Sequence, residues 1–385
     1  MTAQTALGQI LPRVRLNVLS NSAIACYRAC PRQFKYRYVM RRRPRRADEA
    51  LRFGSFFHCG LNAWWNEVGD ANDKFSAAVY AMRERAEKNS EDADPYDLVK
   101  AEELIRGYTA RWGSDVYSTF AVEKVFDVPL VNPETGHASK TYRLSGAIDA
   151  LAFAPSTTRL IHVEHKTTSS DITPGADYWR KVSALDPQVS TYQAALKALG
   201  YEAETLYDVV RKVTLKPYRA TPEEKRKYTQ EKSKQCPFCK KKGNIPGPHL
   251  VSAEGEPELY CEDGRIITER GGRLYENQHD HDETPEEYRE RVQKHIAEHP
   301  EHYYARGPIV RLERDEQEHA ADVWQTANMI RMSEKSGSFP RNPGSCERFH
   351  RLCEYFDVCS GIASIDDDSR FRTAEHAHEE LQKEI

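Results

Sequence analysis

The sequence predicts an α/β fold with a mixed β-sheet flanked by helices, for three reasons. Between residues 120 and 168, apolar residues alternate with polar ones or form short runs, which is typical of strands. Segments with helical periodicity lie on both sides of this stretch, at 20–112 and 186–200. A later strand-like segment, "GPIVRL", leads directly into an amphipathic helical segment, "ERDEQEHAADVWQTANMIRM".

The composition argues against a membrane protein. Of the 385 residues, 30% are charged and 39% hydrophobic, and no run of about 18 apolar residues occurs. The opening segment "MTAQTALGQILPRVRLNVLS" lacks the apolar core of a secretory signal. We therefore expect a cytoplasmic protein with no membrane partner.

The first part of the chain is predicted to be helical. "SNSAIACYRACPRQFKYRYV" starts with cap candidates and breaks at Cys30-Pro31, so a short helix precedes a second one. "FGSFFHCGLNAWWNEV" predicts a helix that begins after Gly54. Residues 72–112 predict further helices, with cap candidates near Ser90 and Asp94.

Strands and one well-delimited helix follow. The predicted strands are "FAVEKVFDVPLV", "YRLSGAIDALAFA", "TRLIHVEHKTT" and, further on, "ETLYDVVRKV". The turn "APSTT" predicts that the second and third form an antiparallel hairpin. "DPQVSTYQAALKALG" predicts a helix with Asp186 as the N-cap, Pro187 in the first turn and Gly200 after the end.

A change of composition divides the rest of the chain. Residues 216–306 are rich in Lys, Glu, Gly and His and show little apolar periodicity, so we interpret them as an insertion. The predicted parts are a basic helical region with the first cluster cysteine at 1–119, a core at 120–215, the insertion at 216–306, a C-terminal strand and helix with a cysteine triplet at 307–363, and an acidic tail at 364–385.

Two neighbouring predicted strands carry acids where apolar residues are expected. Asp149 lies in "GAIDALAFA" and Glu164 in "LIHVEHKTT". Carboxylates held together by a strand ladder repel each other unless a cation lies between them. Such oxygen ligands suit Mg²⁺ or Mn²⁺, which retain water that can attack a phosphodiester. The pair therefore predicts a divalent-cation site.

Lys166 follows Glu164 by two residues, so both side chains face the same side of the strand. An ammonium group there would lower the pKa of an attacking water and stabilise the charge of the pentavalent phosphate. His165 points to the opposite face. Gly146 precedes Asp149 and would allow close approach by backbone or substrate.

Four motifs occur in order along the chain. They are G-x-x-x-H at 54–58, G-x-x-D at 146–149, E-x-K-T at 164–167 and Q-x-x-x-Y at 188–192. This ordered set resembles the PD-(D/E)XK nuclease superfamily, and within it the RecB/AddB-like branch that includes CRISPR-associated iron–sulfur exonucleases. The resemblance covers roughly residues 20–210 and 307–360. It implies a restriction-endonuclease-like fold.

The resemblance also implies roles for the motif residues. The metal ligands would be His58, Asp149 and Glu164, holding Mg²⁺ or Mn²⁺. Lys166 would assist the attacking water. Gln188 and Tyr192, which share a helix face at i and i+4, would contribute to the active site and the DNA path.

The nine cysteines of an intracellular chain indicate metal ligation rather than disulfides. Cys346, Cys353 and Cys359 cluster near the end, and Cys30 is the natural fourth thiolate, with Cys26 as a competitor. In the resembled branch, one N-terminal and three C-terminal cysteines hold a [4Fe–4S] cluster, and four thiolates also suit zinc. Such a site would join the chain ends around the core.

A second cysteine group lies in the predicted insertion. "CPFC" contributes Cys236 and Cys239, and "YCEDG" contributes Cys261 where a zinc ribbon would have its second pair. The fourth zinc ligand would come from His249, Asp263, His279 or His281. The alternative is a decayed ribbon with free thiols.

Charge is distributed unevenly. Residues 1–46 contain eleven Lys and Arg and no acid, whereas the last twenty contain seven acids and three bases. The interleaved segment "CYRACPRQFKYRYVMRRRPRR" favours a DNA entry surface with phosphate contacts and base stacking. Its aromatic residues Phe34, Tyr36 and Tyr38 are alternatively core residues. The acidic tail suits solubility or self-screening.

We therefore predict a Mg²⁺- or Mn²⁺-dependent deoxyribonuclease, an exonuclease acting on single-stranded or end-containing DNA. The resemblance suggests a role in repair, recombination or replication, a helicase or recombination partner, and a phage or prokaryotic source. The alternatives are a non-catalytic nucleic-acid-binding iron–sulfur scaffold and a redox-sensing DNA-binding protein. The intact E-x-K motif favours the nuclease.

Overall fold

The structure is a computed structural model. It describes residues 17–45, 49–88, 94–115, 117–154, 159–227, 249–251, 259–261, 274–275, 277–348 and 351–381. The chain divides into two compact units, one formed by residues 1–214 with 292–385 and the other by residues 215–291. None of the described helices is both long enough and apolar enough to span a bilayer.

The strands belong to one large sheet and three two-stranded sheets. They are β1 (Asn17–Leu19), β2 (Arg42–Pro44), β3 (Ser118–Val131), β4 (Ala138–Phe153), β5 (Leu160–Thr168), β6 (Ala203–Arg211), β7 (His249–Val251), β8 (Leu259–Cys261), β9 (Tyr304–Ile309), β10 (Glu347–Arg348), β11 (Arg351–Leu352) and β12 (Phe371–Thr373).

The helices surround the large sheet or connect its strands. They are α1 (Asn21–Ala29), α2 (Pro31–Phe34) with a π-helical turn (Lys35–Val39), α3 (Glu49–Asn66), α4 (Ala71–Lys88), α5 (Pro95–Trp112), α6 (Asp177–Leu185), α7 (Pro187–Ala198), α8 (Pro285–Glu298), α9 (Pro300–Tyr303), α10 (Glu313–Ser336) and α11 (Phe356–Ser360). Short 3₁₀ turns are Glu223–Lys225, Pro343–Ser345 and Glu379–Leu381.

The large sheet is mixed, as the sequence predicts. Its order is β1-β4-β5-β6-β9, with β3 also paired to β4. β4 and β5 are antiparallel, which confirms the predicted hairpin, whereas β5 and β6 are parallel. A parallel pair needs a long crossover, and α6 and α7 provide it.

The two faces of the sheet pack against different helices. Residues of α1, α7 and α10 share one apolar cluster with residues of β3 and β4. On the opposite face α3 and α5 reach β5 and β6: the Trp65 ring lies 5.6 Å from that of His165, and the Tyr108 hydroxyl donates to Asp208. The predicted fold class, a mixed sheet between helices, is confirmed.

The sequence predicted both ends of helix α7 correctly but not the start of α3. Asp186 caps α7 by accepting a hydrogen bond from the backbone N–H of Gln188 at 2.9 Å, and Gly200 beyond its end has a φ of +85°. The prediction that α3 begins after Gly54 is wrong, since the helix begins at Glu49. A Cβ on Gly54 would lie 3.5 Å from Thr167 Oγ1, so this glycine lies where α3 approaches β5 closely.

The basic segment and the acidic tail are packed together. β2 pairs antiparallel with β12, and Arg42 and Arg43 are only 8% and 5% exposed. Arg42 forms an ion pair with Asp368 at 2.9 Å, and Arg43 donates to the carbonyl of Ala377 at 2.7 Å. Thus Arg42 and Arg43 are not part of a DNA entry surface, and the tail segment that carries β12 is a packed element.

The aromatic residues of the same segment are also in the core. Phe34, Tyr36 and Tyr38 are each less than a tenth exposed. Phe34 packs edge-on against Tyr27 of α1, and Tyr36 packs against Tyr355. Of the two alternatives for these rings, base stacking and core, the structure confirms core, because buried rings leave no face for a DNA base.

The smaller unit contains β7 and β8, which pair antiparallel with His249 opposite Cys261. Its described part is held by polar contacts around Glu283. This carboxylate accepts hydrogen bonds from Arg291 and from the backbone N–H of Tyr218. The Tyr218 ring stacks on His279, with ring centroids 4.1 Å apart.

Candidate active site

The two acidic strand residues meet where the hairpin ends. The pairing of β4 with β5 runs from Phe153 opposite Leu160 to Ala150 opposite Val163. Asp149 and Glu164 are the next residue on each strand, at the same end of the ladder. Asp149 Oδ2 accepts a hydrogen bond of 2.8 Å from the backbone N–H of His165, which ties the carboxylate to the neighbouring strand.

Helix α3 brings His58 to this point. The close approach of α3 to β5 at Gly54 lies one helical turn before the histidine. His58 Nδ1 is 3.9 Å from Asp149 Oδ1, and the two side chains are 25% and 13% exposed. An imidazole and a carboxylate thus lie together at an opening that solvent reaches.

Lys166 connects the strand to helix α7. Its ammonium group contacts Glu164 Oε1 and donates to Gln188 Oε1 at 2.7 Å. Gln188 Nε2 donates in turn to the Tyr192 hydroxyl at 3.0 Å. The structure therefore gathers all six candidate residues, His58, Asp149, Glu164, Lys166, Gln188 and Tyr192, around the end of the hairpin.

The charges of the site stabilise one another. Burial alone would raise the pKa of the Asp149 carboxyl, but nearby charged groups and the hydrogen bond from His165 lower it. Burial alone would lower the pKa of Lys166, whereas carboxylates raise it, first of all Glu164. Both groups are therefore charged at neutral pH.

The side chains present fit a hard divalent cation. Glu164 is fully buried, and its Oε2 accepts no hydrogen bond within the described residues, although it lies 3.4 Å from His162 Nε2. A buried carboxylate oxygen of this kind requires a proton or a cation. His58, Asp149 and Glu164 do not all bring ligand atoms within 4.8 Å of one another, and the Lys166 ammonium contacts Glu164.

Family comparison agrees with this geometry. The model of the PD-(D/E)XK nuclease superfamily matches residues 18–360, which include every candidate active-site residue. The chain belongs to the PD-(D/E)XK nuclease superfamily. Membership implies nuclease activity, the hydrolysis of phosphodiester bonds, in a superfamily that typically uses Mg²⁺ or Mn²⁺ and acts on DNA. A search of curated proteins found no match.

The glycine of the G-x-x-D motif has a packing role in this nuclease. A Cβ on Gly146 would lie 2.8 Å from the Phe126 ring and 2.9 Å from the Tyr192 ring. The close approach that the sequence predicts is therefore made by two aromatic side chains. It allows Tyr192 to lie against β4 while its hydroxyl reaches Gln188.

Two residues near the nuclease site escaped the sequence analysis. His162 is fully buried beside Glu164, and it shares the face of Glu164 because the two are two residues apart on β5. Asp186, predicted only as a helix cap, also raises the pKa of Lys166 and accepts a hydrogen bond from Tyr207. The two-residue alternation of strand β5 could have identified His162, because it places His162 on the same face as Glu164.

The opposite face of β5 carries a buried charge network. His165 Nδ1 lies 3.0 Å from Asp208 Oδ2 on β6, and Arg306 Nε of β9 lies 3.1 Å from Asp208 Oδ1. Arg306 also pairs with Asp115 at 2.6 Å. Because Asp208 is fully buried, the Arg306 charge is needed to hold its pKa below the usual range against burial.

Four of the predicted cluster cysteines line one cavity of about 180 Å³. They are Cys30 from the turn between α1 and α2, and Cys346, Cys353 and Cys359 from the C-terminal segment. Cys26 does not line it and packs instead against the core cluster of the sheet. Segments from the two ends of the chain thus meet at one group of thiols.

The middle cysteines can be followed only in part. Cys236, Cys239 and the ligand candidate Asp263 lie outside the described residues, and for Cys261 and His249 only the strand backbone is described. His281 is hydrogen-bonded to Asp280 and Glu287. The zinc site of the insertion stays a prediction.

Proposed function

We propose that this nuclease is a Mg²⁺- or Mn²⁺-dependent deoxyribonuclease of the RecB/AddB-like branch that acts as an exonuclease on single-stranded or end-containing DNA. The observation that carries the chemistry is the meeting of Asp149, Glu164 and Lys166 at the end of one hairpin. The exonuclease mode and a role in repair, recombination or replication are what the resemblance to the RecB/AddB-like branch implies. A helicase or recombination partner is part of the same proposal.

The metal would be held by His58, Asp149 and Glu164. When bound, it supplies an activated water and neutralises charge on the phosphate. Lys166 keeps its proton and presents a positive charge, because Glu164 and Gln188 orient its ammonium group. Gln188 and Tyr192 act as positioning residues, since the amide links the lysine to the tyrosine hydroxyl.

The test is a cleavage assay on end-labelled linear and circular DNA, single- and double-stranded, with matched RNA substrates. Wild-type protein should shorten linear DNA with Mg²⁺ or Mn²⁺ and leave circles intact. Asp149→Ala should abolish cleavage and retain DNA binding, whereas Asp127→Ala, an exposed acid on β3, should cleave normally. Full cleavage by Asp149→Ala would disprove the metal assignment, and cut circles would disprove the exonuclease mode.

We further propose that Cys30, Cys346, Cys353 and Cys359 hold a [4Fe–4S] cluster that joins the chain ends. The shared cavity supports this, and it favours Cys30 over Cys26. No three described thiols lie mutually within 4.8 Å, whereas Zn–S bonds of 2.3 Å require thiolates only ~3.8 Å apart. In a [4Fe–4S] cluster each thiolate binds a different iron atom, so the four sulfur atoms can lie further apart than around a single zinc ion.

The colour of anaerobically purified protein tests the cluster. We expect a brown protein with broad visible absorbance that Cys346→Ser or Cys353→Ser loses and Cys26→Ser retains. A colourless wild-type preparation that contains only zinc would rule out iron. Equal loss of colour in Cys26→Ser would overturn the choice of Cys30.

The five predicted parts of the chain remain part of the proposal, with residues 216–306 as an insertion on the nuclease. Cys236, Cys239 and Cys261 would hold Zn²⁺ there and so support a segment with few apolar residues. Zinc analysis of a Cys236→Ser/Cys239→Ser variant tests this, with loss of one zinc equivalent expected. An unchanged zinc content would exclude the site.

A further inference from the structure

A second group of metal-ligating side chains lies away from the nuclease residues, in the turn that joins α8 to α9 and in α9 itself. It consists of His299, Glu301 and His302, just before β9 begins at Tyr304. The turn is closed by backbone hydrogen bonds, from the N–H of His299 to the carbonyl of His295 at 3.2 Å and from the N–H of His302 to that of His299 at 3.0 Å. These bonds fix the backbone from which the three side chains project.

The three side chains are already close together. One ligand atom from each lies within 4.8 Å of the other two, and no other three His, Cys, Asp or Glu in the described part of the chain come this close. His302 Nε2 is 3.5 Å from Glu301 Oε1. The rings of His299 and His302 are stacked, with centroids 5.2 Å apart and planes 12° apart. Metal–nitrogen bonds of 2.0–2.1 Å would require ligand atoms ~3.3 Å apart, so only a small adjustment is needed.

A neighbouring imidazole supports the turn. His295 lies edge-on to the His299 ring, with centroids 5.0 Å apart. Its Nδ1 is held by the hydroxyl of Tyr303 at 2.8 Å. Among the described contacts, neither ring nitrogen of His299 or His302 takes part in a hydrogen bond, and His302 and Glu301 are about half exposed, so a dissolved ion can reach them.

We propose that His299, Glu301 and His302 bind a divalent first-row transition-metal ion, with Zn²⁺ the best fit, at a site separate from the catalytic cation. Two imidazoles and one carboxylate are a common zinc ligand set, and a fourth position stays open to water. Mg²⁺ prefers oxygen ligands and strict octahedral geometry, so this site discriminates against the metal proposed for catalysis.

Because all three ligands lie within four residues of one segment, the ion would brace the backbone just before β9. Tyr304 pairs with Val210 at the end of β6, so the cluster lies directly before the last strand of the sheet. The pKa of Asp171, which follows β5, is lowered mainly by hydrogen bonds from Thr173 and also by Arg211 and His302.

Metal counting on the full chain tests the proposal. Protein loaded with Zn²⁺ and desalted should hold one equivalent fewer in His299→Ala/His302→Ala than in the wild type. Glu375→Ala/His376→Ala, which removes another exposed Glu–His pair, should lose none. Equal zinc in the wild type and the first double variant would overturn the proposal, as would equal loss in the control.

Cobalt provides a second measurement that separates this site from the thiol sites. Co²⁺-loaded His299→Ala/His302→Ala should lose visible d–d absorbance while keeping the sulfur-to-cobalt bands of the cysteine sites. If that variant folds poorly, His302→Gln alone provides the test. Removing a residue that only supports a metal ligand already weakens binding about 10-fold, so removing the proposed ligand His302 should weaken Zn²⁺ binding by more than that. Unchanged affinity would also refute the site. Mg²⁺-dependent DNA cleavage should persist in all these variants, so failure here is distinguishable from failure of the nuclease assignment.

Discussion

The hairpin site and the cysteine cavity both collect potential metal ligands, but they assemble them in different ways. Asp149 and Glu164 come from adjacent strands of one hairpin, so strand register alone brings them together. Cys30 and the C-terminal cysteines come from opposite ends of the chain and meet only when the whole fold has closed. Oxygen donors in the first suit hard cations, and thiolates in the second suit iron or zinc.

This difference predicts how each site should respond to substitution. A locally assembled site can lose its chemistry while the surrounding sheet remains folded. A site that joins distant segments contributes to stability by closing a long loop. Substitutions at the hairpin should therefore act mainly on cleavage, and substitutions in the cysteine cavity mainly on unfolding.

The largest expected effect is on cleavage by Lys166→Met. Loss of the ammonium group should reduce the rate by about 10²–10³-fold, the usual effect of removing one group that stabilises charge in the transition state. Glu164 would also be left as a buried carboxylate without its partner, which costs about 3 kcal/mol of stability in EDTA. Single-turnover assays and urea unfolding, with and without Mg²⁺, measure both effects.

Lys140→Met is the matched control, because Lys140 is an exposed lysine on β4. Lys140→Met should change neither the cleavage rate nor the free energy of unfolding. We expect Mg²⁺ or Mn²⁺ to restore part of the stability lost in Lys166→Met. A stability loss that the metal does not reduce would contradict the assignment of Glu164 as a ligand.

The second expected effect concerns the cysteine cavity. Cys359→Ser should lower the free energy of unfolding by about 3–5 kcal/mol, similar to losing a cross-link that closes a long loop. Cleavage per folded molecule should change little, because the cysteine touches none of the hairpin residues. Anaerobic urea unfolding together with a cleavage assay tests this, with Cys26→Ser as the control. If Cys26→Ser lost more unfolding free energy than Cys359→Ser, the cysteine cavity would not be the site that stabilises the fold.

A third prediction concerns the charges buried on the other face of β5. Asp208→Asn should destabilise the protein by about 3 kcal/mol at pH 7, since Arg306 loses a buried partner. Because folding lowers the pKa of Asp208, its contribution is present above the unfolded value of about 3.9 and disappears as the pH falls below it. The difference from the wild type should therefore shrink in acid.

Glu204→Gln on the same strand provides the comparison, since its pair with Arg159 is exposed and should contribute less than about 1 kcal/mol. Urea unfolding from pH 7 to 3 measures both variants. A pH-independent loss in Asp208→Asn would show that packing, not charge, is responsible.

The smallest expected effect is at Tyr192. Tyr192→Phe removes only the hydroxyl that accepts from Gln188, a contribution of about 1 kcal/mol, so cleavage should fall roughly five-fold. Gln188→Ala should have a larger effect, because it frees the Lys166 ammonium as well. If Tyr192→Phe reduced cleavage more than Gln188→Ala, the order of the contacts that orient Lys166 would be wrong.

Several elements were predictable because their signals are local. The β4–β5 hairpin follows from alternation on both sides of a turn, and α7 follows from its cap at Asp186 and its stop at Gly200. The gathering of Glu164 and Lys166 follows from the two-residue period of a strand. Each of these signals depends on residues a few positions apart.

Other features could not be predicted because they depend on distant partners. Arg42 and Arg43 look like a DNA-binding run, yet their partners are in the C-terminal segment. The choice of Cys30 over Cys26 as a lining residue depends on how α1 packs against the sheet. His165 has no visible partner in the sequence, because Asp208 and Arg306 come from two other strands.

The amino-acid sequence by itself determined the type of the main elements around the hairpin, the residues on each of those strand faces and the order of the nuclease motifs. These properties arise from backbone geometry and side-chain alternation, which act over a few residues. Only the tertiary structure decided which arginines are buried, which cysteine joins the C-terminal three, and that His58 reaches Asp149. Those outcomes depend on apolar burial and charge pairing between segments far apart in the chain, for which the free energy is set by the whole packed core.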